Sequence, residues 1–215
     1  MAETVDIFWS FRSPYSRLVV PDLLKLRDDY DVDVRFRPVL PLAVRFPESL
    51  FDPNDRRAPM YIVRDSMRRG EMLGRPVVYP LSPDPIVQDF ATMKVSEDQP
   101  YIYRLTELGV EAARRGKGLE FAGAVSAQIF GGVKDWDKGS VLKDAAAGVG
   151  LDLAELEAAI ADGDHMEEIT RNHGALDASG HWGVPTMLFR EEPFFGQDRV
   201  DTLRWRLEQA GVAKA

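Results

Sequence analysis

The chain has 215 residues, 45% hydrophobic and 10% aromatic, enough to bury a sizeable core without disulfides or a structural metal. Basic residues number 27 against 35 acidic ones, a net charge of −8, and no basic stretch is interleaved with aromatics, which argues against nucleic acid as a partner. The first residues are acidic where a secretory signal is basic, no apolar run approaches membrane-span length, and there is no cysteine, so a cytoplasmic protein without a membrane partner is expected, built as one domain with an insertion.

Residues 5–11 mix β-branched and aromatic side chains and stop at Ser13-Pro14, which predicts a strand and a turn. Residues 17–28 then space Leu18, Leu23, Leu24 and Leu26 at helical intervals, with Pro21 expected to bend or restart the helix. Strict alternation over residues 32–37, ending at Pro38, predicts a second strand and completes a βαβ unit. Strand patterns vanish over residues 41–180. Proline-rich punctuation runs to Pro85, and helical stretches follow at 101–115 and 119–130. Asp152 and Glu155 have capping-box spacing. Residues 186–189 and 193–195 read as a hairpin around Arg190-Glu191-Glu192. A terminal helix is expected over 197–209, packing through Val200, Leu203, Trp205 and Leu207.

Ser13 and Ser16 occupy the turn between the first strand and helix, where a thioredoxin-like oxidoreductase carries C-x-x-C. With no cysteine in the chain, any thiol chemistry must come from a bound molecule. Read alone, Ser13 is a helix cap, Pro185 is an ordinary trans proline opening a strand, and Asp198 is a helix-end charge. His165, His173 and His181 lack compact metal-ligand spacing, so no metal is expected. His181 and Trp182 read as loop anchors, and Arg64, Arg68, Arg69, Arg114 and Arg115 as solvated helix faces. Ser13 lacks the glycine flanks of a nucleophile elbow, which excludes that hydrolase pattern.

Four motifs in order, Ser13-Pro14-Tyr15-Ser16, the pair Tyr61–Asp65 and Gly74–Pro80, Gly183-Val184-Pro185-Thr186, and Phe195-Gly196-Gln197-Asp198-Arg199, resemble the family of 2-hydroxychromene-2-carboxylate isomerases and kappa-class glutathione transferases. The resemblance spans nearly the whole chain. It implies an α/β fold, a thioredoxin-like domain of the DsbA type split over residues 1–40 and 181–215, with a large all-helical insertion at 41–180, and a homodimer. It also implies glutathione as cofactor and a small-molecule substrate. Ser13 lies beside the sulfur in this reading, and Val184, before a cis Pro185, pairs its backbone with the cysteinyl part. Gln197 and Asp198 take the γ-glutamyl end, and Asn54 contacts the tripeptide. Where the family often has a lysine this chain has Ala58, leaving Arg56 or Arg57 as substitutes, and Ser10 stands where related isomerases often have aspartate. The implied activities are isomerisation through reversible thiolate addition, conjugation as a kappa-like transferase, or peptide binding without catalysis.

Overall fold

The computed structural model describes residues 3–46, 54–80, 83–89, 91–92 and 94–214. A four-stranded sheet forms its centre in the order β2-β1-β3-β4, from β1 (Glu3–Trp9), β2 (Val32–Pro38), β3 (Thr186–Phe189) and β4 (Glu192–Phe195). β1 and β2 run parallel, joined by α1 (Pro14–Asp29), while β3 is antiparallel to both β1 and β4. β1 is covered on both faces, Ile7 and Trp9 entering the main core and Phe8 packing with Val39 and Leu176, so all three are fully buried. β2 is an edge strand, and its predicted alternation appears as half-buried Val32 and Val34 between exposed Asp33 and Arg35.

Helices α2 (Leu42–Arg45), α3 (Arg57–Met72), α4 (Ile102–Arg114), α5 (Gly118–Ile129), α6 (Val141–Ala147), α7 (Leu153–Ala161) and α8 (His165–Ala178) separate β2 from β3, and α9 (Val200–Gln209) follows the hairpin. α5 packs on α1 and α4 on β2, so one apolar core runs from Val5 and Leu23 through Leu108 and Phe121 to Leu156 and Leu203. Gly109 in α4 permits a close approach, since a Cβ there would lie 2.8 Å from the ring of Phe11, just before the turn that bears Ser13.

Several sequence expectations need correction. α1 runs unbroken through Pro21, which sits on the exposed face where water can reach the carbonyl left unpaired. Asp152 caps α7 by accepting from the N–H groups of Ala154 and Glu155 at 2.7 and 3.1 Å. The return arm of a capping box is replaced by a bond from Arg115 to Glu155 at 2.7 Å. α9 starts at Val200 rather than Gln197, because Gly196, at φ +108°, opens a turn closed by the Arg199 N–H on the Gly196 carbonyl at 3.2 Å. Trp205 is half exposed beneath the guanidinium of Arg206, while Val200, Leu203 and Leu207 face the core as expected.

Candidate active site at the N-terminus of α1

β1 ends at Trp9, and the chain turns as the Ser13 N–H donates to the Ser10 carbonyl at 3.1 Å. Ser13 is the N-cap of α1. Its Oγ accepts from the Ser16 N–H at 3.1 Å, and Pro14 occupies the first turn, where its missing N–H costs nothing. Capping uses an oxygen lone pair and leaves the hydroxyl proton, which donates to the Val184 carbonyl over a long 3.4 Å. A weak donor bond of this kind is readily exchanged for one to a bound anion. No acidic residue in the first turn offsets the positive end of α1. Ser16 is fully buried, its Oγ has no hydrogen-bond partner among the described residues, and its carbonyl accepts from the Trp9 indole at 2.7 Å.

Facing Ser13 is the loop before β3. The Val184–Pro185 peptide is cis, as the resemblance implies. The loop is pinned from several sides: the Thr186 hydroxyl donates to the Gly183 carbonyl at 2.8 Å, the Gly183 N–H donates to Nδ1 of His181 at 2.9 Å, and the Gly196 N–H donates to the Pro185 carbonyl at 2.9 Å. Burial lowers the pKa of His181, keeping it a neutral acceptor. Its ring stacks on Phe195 at 4.0 Å and on Trp182 at 5.2 Å. His181 is thus the expected anchor, whereas Trp182 is half exposed and lines the cleft beside Phe195.

Between this loop and Ser13 opens a cleft of about 730 Å³. Its surface is mostly apolar, with Leu42 and Ala43 on one side, Ile62 and Val63 of α3 on another, and Trp182 and Phe195 at the rim. Among the described residues, the charged ones on its wall are Arg12, Asp84 and Arg56. Arg12 and Asp84 form a buried fork, Nε to Oδ1 at 2.5 Å and Nη2 to Oδ2 at 2.7 Å, and Tyr79 lies against the guanidinium, 5.3 Å from ring centroid to Cζ. Burial disfavours the Arg12 cation, but the charge and hydrogen bonds of Asp84 outweigh it and raise its pKa. Arg56 donates to the Ala91 carbonyl at 2.9 Å and has no ion pair among the described residues. Tyr15, also on the wall, donates to Asp65 at 2.7 Å; burial and that bond raise its pKa, so it stays protonated and committed to Asp65.

The structure brings Ser13, Ser10, Ala58 and Val184 to the cleft, with Pro185 buried behind Val184. Of the two substitute cations, Arg56 reaches it, while Arg57 forks outward onto Asp55. Asn54 lies instead in an adjoining outer depression with Arg57, Tyr61 and Arg64, which shares Arg56 and Met60 with the cleft. Gln197 and Asp198 do not line the cleft. Gln197 accepts from Arg69 of α3 at 3.0 Å, and Asp198 is exposed, 3.4 Å from Arg199. Arg69 is therefore not simply solvated, and Arg114 joins Asp164 and Glu168 near the buried contact of His165 with Glu111 at 2.9 Å. His173 accepts from the Leu40 N–H at 3.0 Å, and burial, with repulsion from Arg45, pushes its pKa down to about 4. Sequence reasoning missed the Arg12–Asp84 pair, whose members lie 72 positions apart with no local pattern to join them. Among the described residues no helix is long and apolar enough to cross a membrane, and no group of three His, Cys, Asp or Glu is placed to hold a metal ion.

A parallel βαβ unit, a helical block and a cis-proline hairpin, with a capped helix N-terminus facing that proline, define the class: this is a DsbA-like thioredoxin fold. The family model of the DSBA-like thioredoxin domain matches residues 104–208. Over its full length the chain is similar to the structure of 2-hydroxychromene-2-carboxylate isomerase, at 20% identity and a TM-score of 0.71, covering 96% of this chain and 95% of that one. It is also similar to the cytosolic disulfide reductase DsbM from Pseudomonas aeruginosa, at 14% identity and a TM-score of 0.63, covering 96% and 99%. The structure of DsbM with GSH matches at 16% identity and a TM-score of 0.62, covering 95% and 99%. No curated protein sequence matches significantly. Identities this low establish the fold, and the functional reading rests on the site.

Proposed function

We propose that this protein is a glutathione-dependent cis-trans isomerase, working as a homodimer on a conjugated acid derived from an aromatic ring. The observation that carries the reading is Ser13, a capping serine whose hydroxyl proton is held by a long 3.4 Å bond, facing a cis-proline loop in a chain with no cysteine. Likeness to an isomerase of this kind, and to a reductase whose structure contains GSH, supports it.

When bound, glutathione supplies a thiolate that can add to and leave an electron-poor double bond, allowing rotation between the two events. Ser13 would hold the sulfur through a hydrogen bond from its hydroxyl, and the free N–H groups of α1 would favour the anionic form. Val184 offers its backbone to the cysteinyl unit as an added strand does. Gln197 and Asp198, two and three residues after Phe195, would face the γ-glutamyl end in this reading, and Asn54 and Arg56 would lie beyond the mouth of the cleft. Trp182 and Phe195 shield the reacting carbon from water.

Incubating the protein with a cis-configured arylidene 2-oxo acid and reduced glutathione tests the reading. Conversion to the trans isomer with glutathione fully recovered supports an isomerase. Loss of glutathione equal to product formed would instead identify a transferase, and no turnover at all would leave peptide binding as the activity to pursue.

A further inference from the structure

In a chain of net charge −8, the described residues of the cleft wall include two arginines and one aspartate, a local balance of +1 among them on a mostly apolar surface. That balance suits a ligand with an apolar body and one negative charge. Of the two arginines, Arg12 is better placed to read the charge. Its side chain is 15% exposed against 7% for Asp84, so an ion bound there is poorly screened. A guanidinium has five N–H donors in a fixed plane. Asp84 takes two of them and the Tyr79 hydroxyl engages another, leaving the remaining donors on a group that cannot swing away. Asp84 is itself held by the Ile86 N–H at 2.9 Å, and the neighbouring Pro83 carbonyl accepts from the Trp136 indole at 2.7 Å. Arg12 directly precedes Ser13, so a carboxylate bound by it lies next to the sulfur subsite. Arg56, by contrast, is exposed and engaged with a backbone carbonyl at the mouth.

We infer that Arg12, oriented by Asp84, is the substrate-recognition residue of the cleft, taking the carboxylate of an aryl 2-oxo acid whose ring lies against Trp182 and Phe195. Asp84 is then a positioning residue. The inference rests on the proposed activity for its substrate, yet it concerns binding that needs no glutathione and can be tested without it.

The test is calorimetric titration, without glutathione, of 2-oxo-4-phenylbutanoate, which has no double bond to isomerise, and of 4-phenyl-2-butanone, which lacks the carboxylate. Wild-type protein is expected to prefer the acid by about tenfold or more, as a charge-assisted hydrogen bond allows. Arg12→Gln removes that preference, Arg12→Lys keeps part of it because the fork geometry is lost, and Arg56→Gln leaves it in place. Thermal melts show which variants are folded, and Arg12→Lys serves if Arg12→Gln is not. Equal affinity of the wild type for both ligands, an acid preference unchanged in the folded Arg12 variants, or one abolished by Arg56→Gln would overturn the inference. A separate glutathione titration of the wild type reports on the proposed activity independently.

Discussion

Ser13→Ala removes both an acceptor and a donor, whereas Ser13→Asp removes only the donor, so the pair separates the structural and chemical duties of this side chain. The acceptor caps α1 through the Ser16 N–H at 3.1 Å. Its loss costs about 1 kcal/mol, which in a chain of this size lowers Tm by about 2–4 °C. Ser13→Asp keeps an acceptor and places a negative charge at a helix N-terminus, so its Tm equals or exceeds that of the wild type. The donor bond to Val184 at 3.4 Å is too long to add much stability. Redirected to a thiolate it becomes a charge-assisted bond of about 1.5–3 kcal/mol. Losing it raises the bound thiol pKa by about 1–2 units, and Asp raises it further by like-charge repulsion. Thermal melts read the first effect, and the ultraviolet thiolate absorbance of bound glutathione against pH reads the second. A wild-type thiol titration in Ser13→Ala would remove Ser13 from the chemistry, and equal Tm losses in both variants would refute its role as cap.

Other expectations follow from the same geometry. Asp198 is exposed and outside the cleft, so Asp198→Asn weakens glutathione binding by no more than about fivefold, the range of an exposed ion pair; a hundredfold loss by calorimetry would show that the γ-glutamyl end is gripped far more tightly. The pKa of His173 is pushed from 6.5 down to about 4, so the native state refuses a proton that the unfolded chain accepts. The stability tied to it is complete above pH 6.5 and is lost as pH falls towards 4. Allowing for partial exposure this amounts to about 2 kcal/mol. His173→Asn, which keeps an acceptor for Leu40, flattens that acid slope in urea midpoints, and an unchanged slope would contradict the assignment. The β3–β4 turn holds Arg190 and Glu191 at φ of 49° and 68° without glycine. Glu191→Gly is expected to stabilise the protein by about 0.5–1 kcal/mol in denaturant unfolding, and a loss of stability would argue against a strained turn.

The βαβ unit, the hairpin and the cap at Ser13 were legible because each depends on neighbours in sequence: alternation over residues 32–37, a proline after a serine, two short apolar runs around a turn. The place of Val184 and Pro185 opposite Ser13 was legible only through the order of motifs, since no local signal distinguishes a cis proline. Long-range choices were not legible. Arg12 finds Asp84 across 72 positions, and of the adjacent Arg56 and Arg57 one lines the cleft while the other turns out to Asp55. The start of α9 moved because the left-handed conformation at Gly196 adds a turn that helical periodicity cannot register. Trp205 fits the helical spacing of a packing residue, yet Arg206 covers its ring at 4.7 Å and it stays half exposed.

The most direct test of the central claim is titration of the wild-type protein with reduced glutathione at neutral pH in buffers of different ionisation heat. Saturable binding with a buffer-dependent heat, marking release of the thiol proton, and loss of that release in Ser13→Ala are the results this account predicts. Absence of saturable binding at millimolar glutathione, or the same proton release in both proteins, would contradict it.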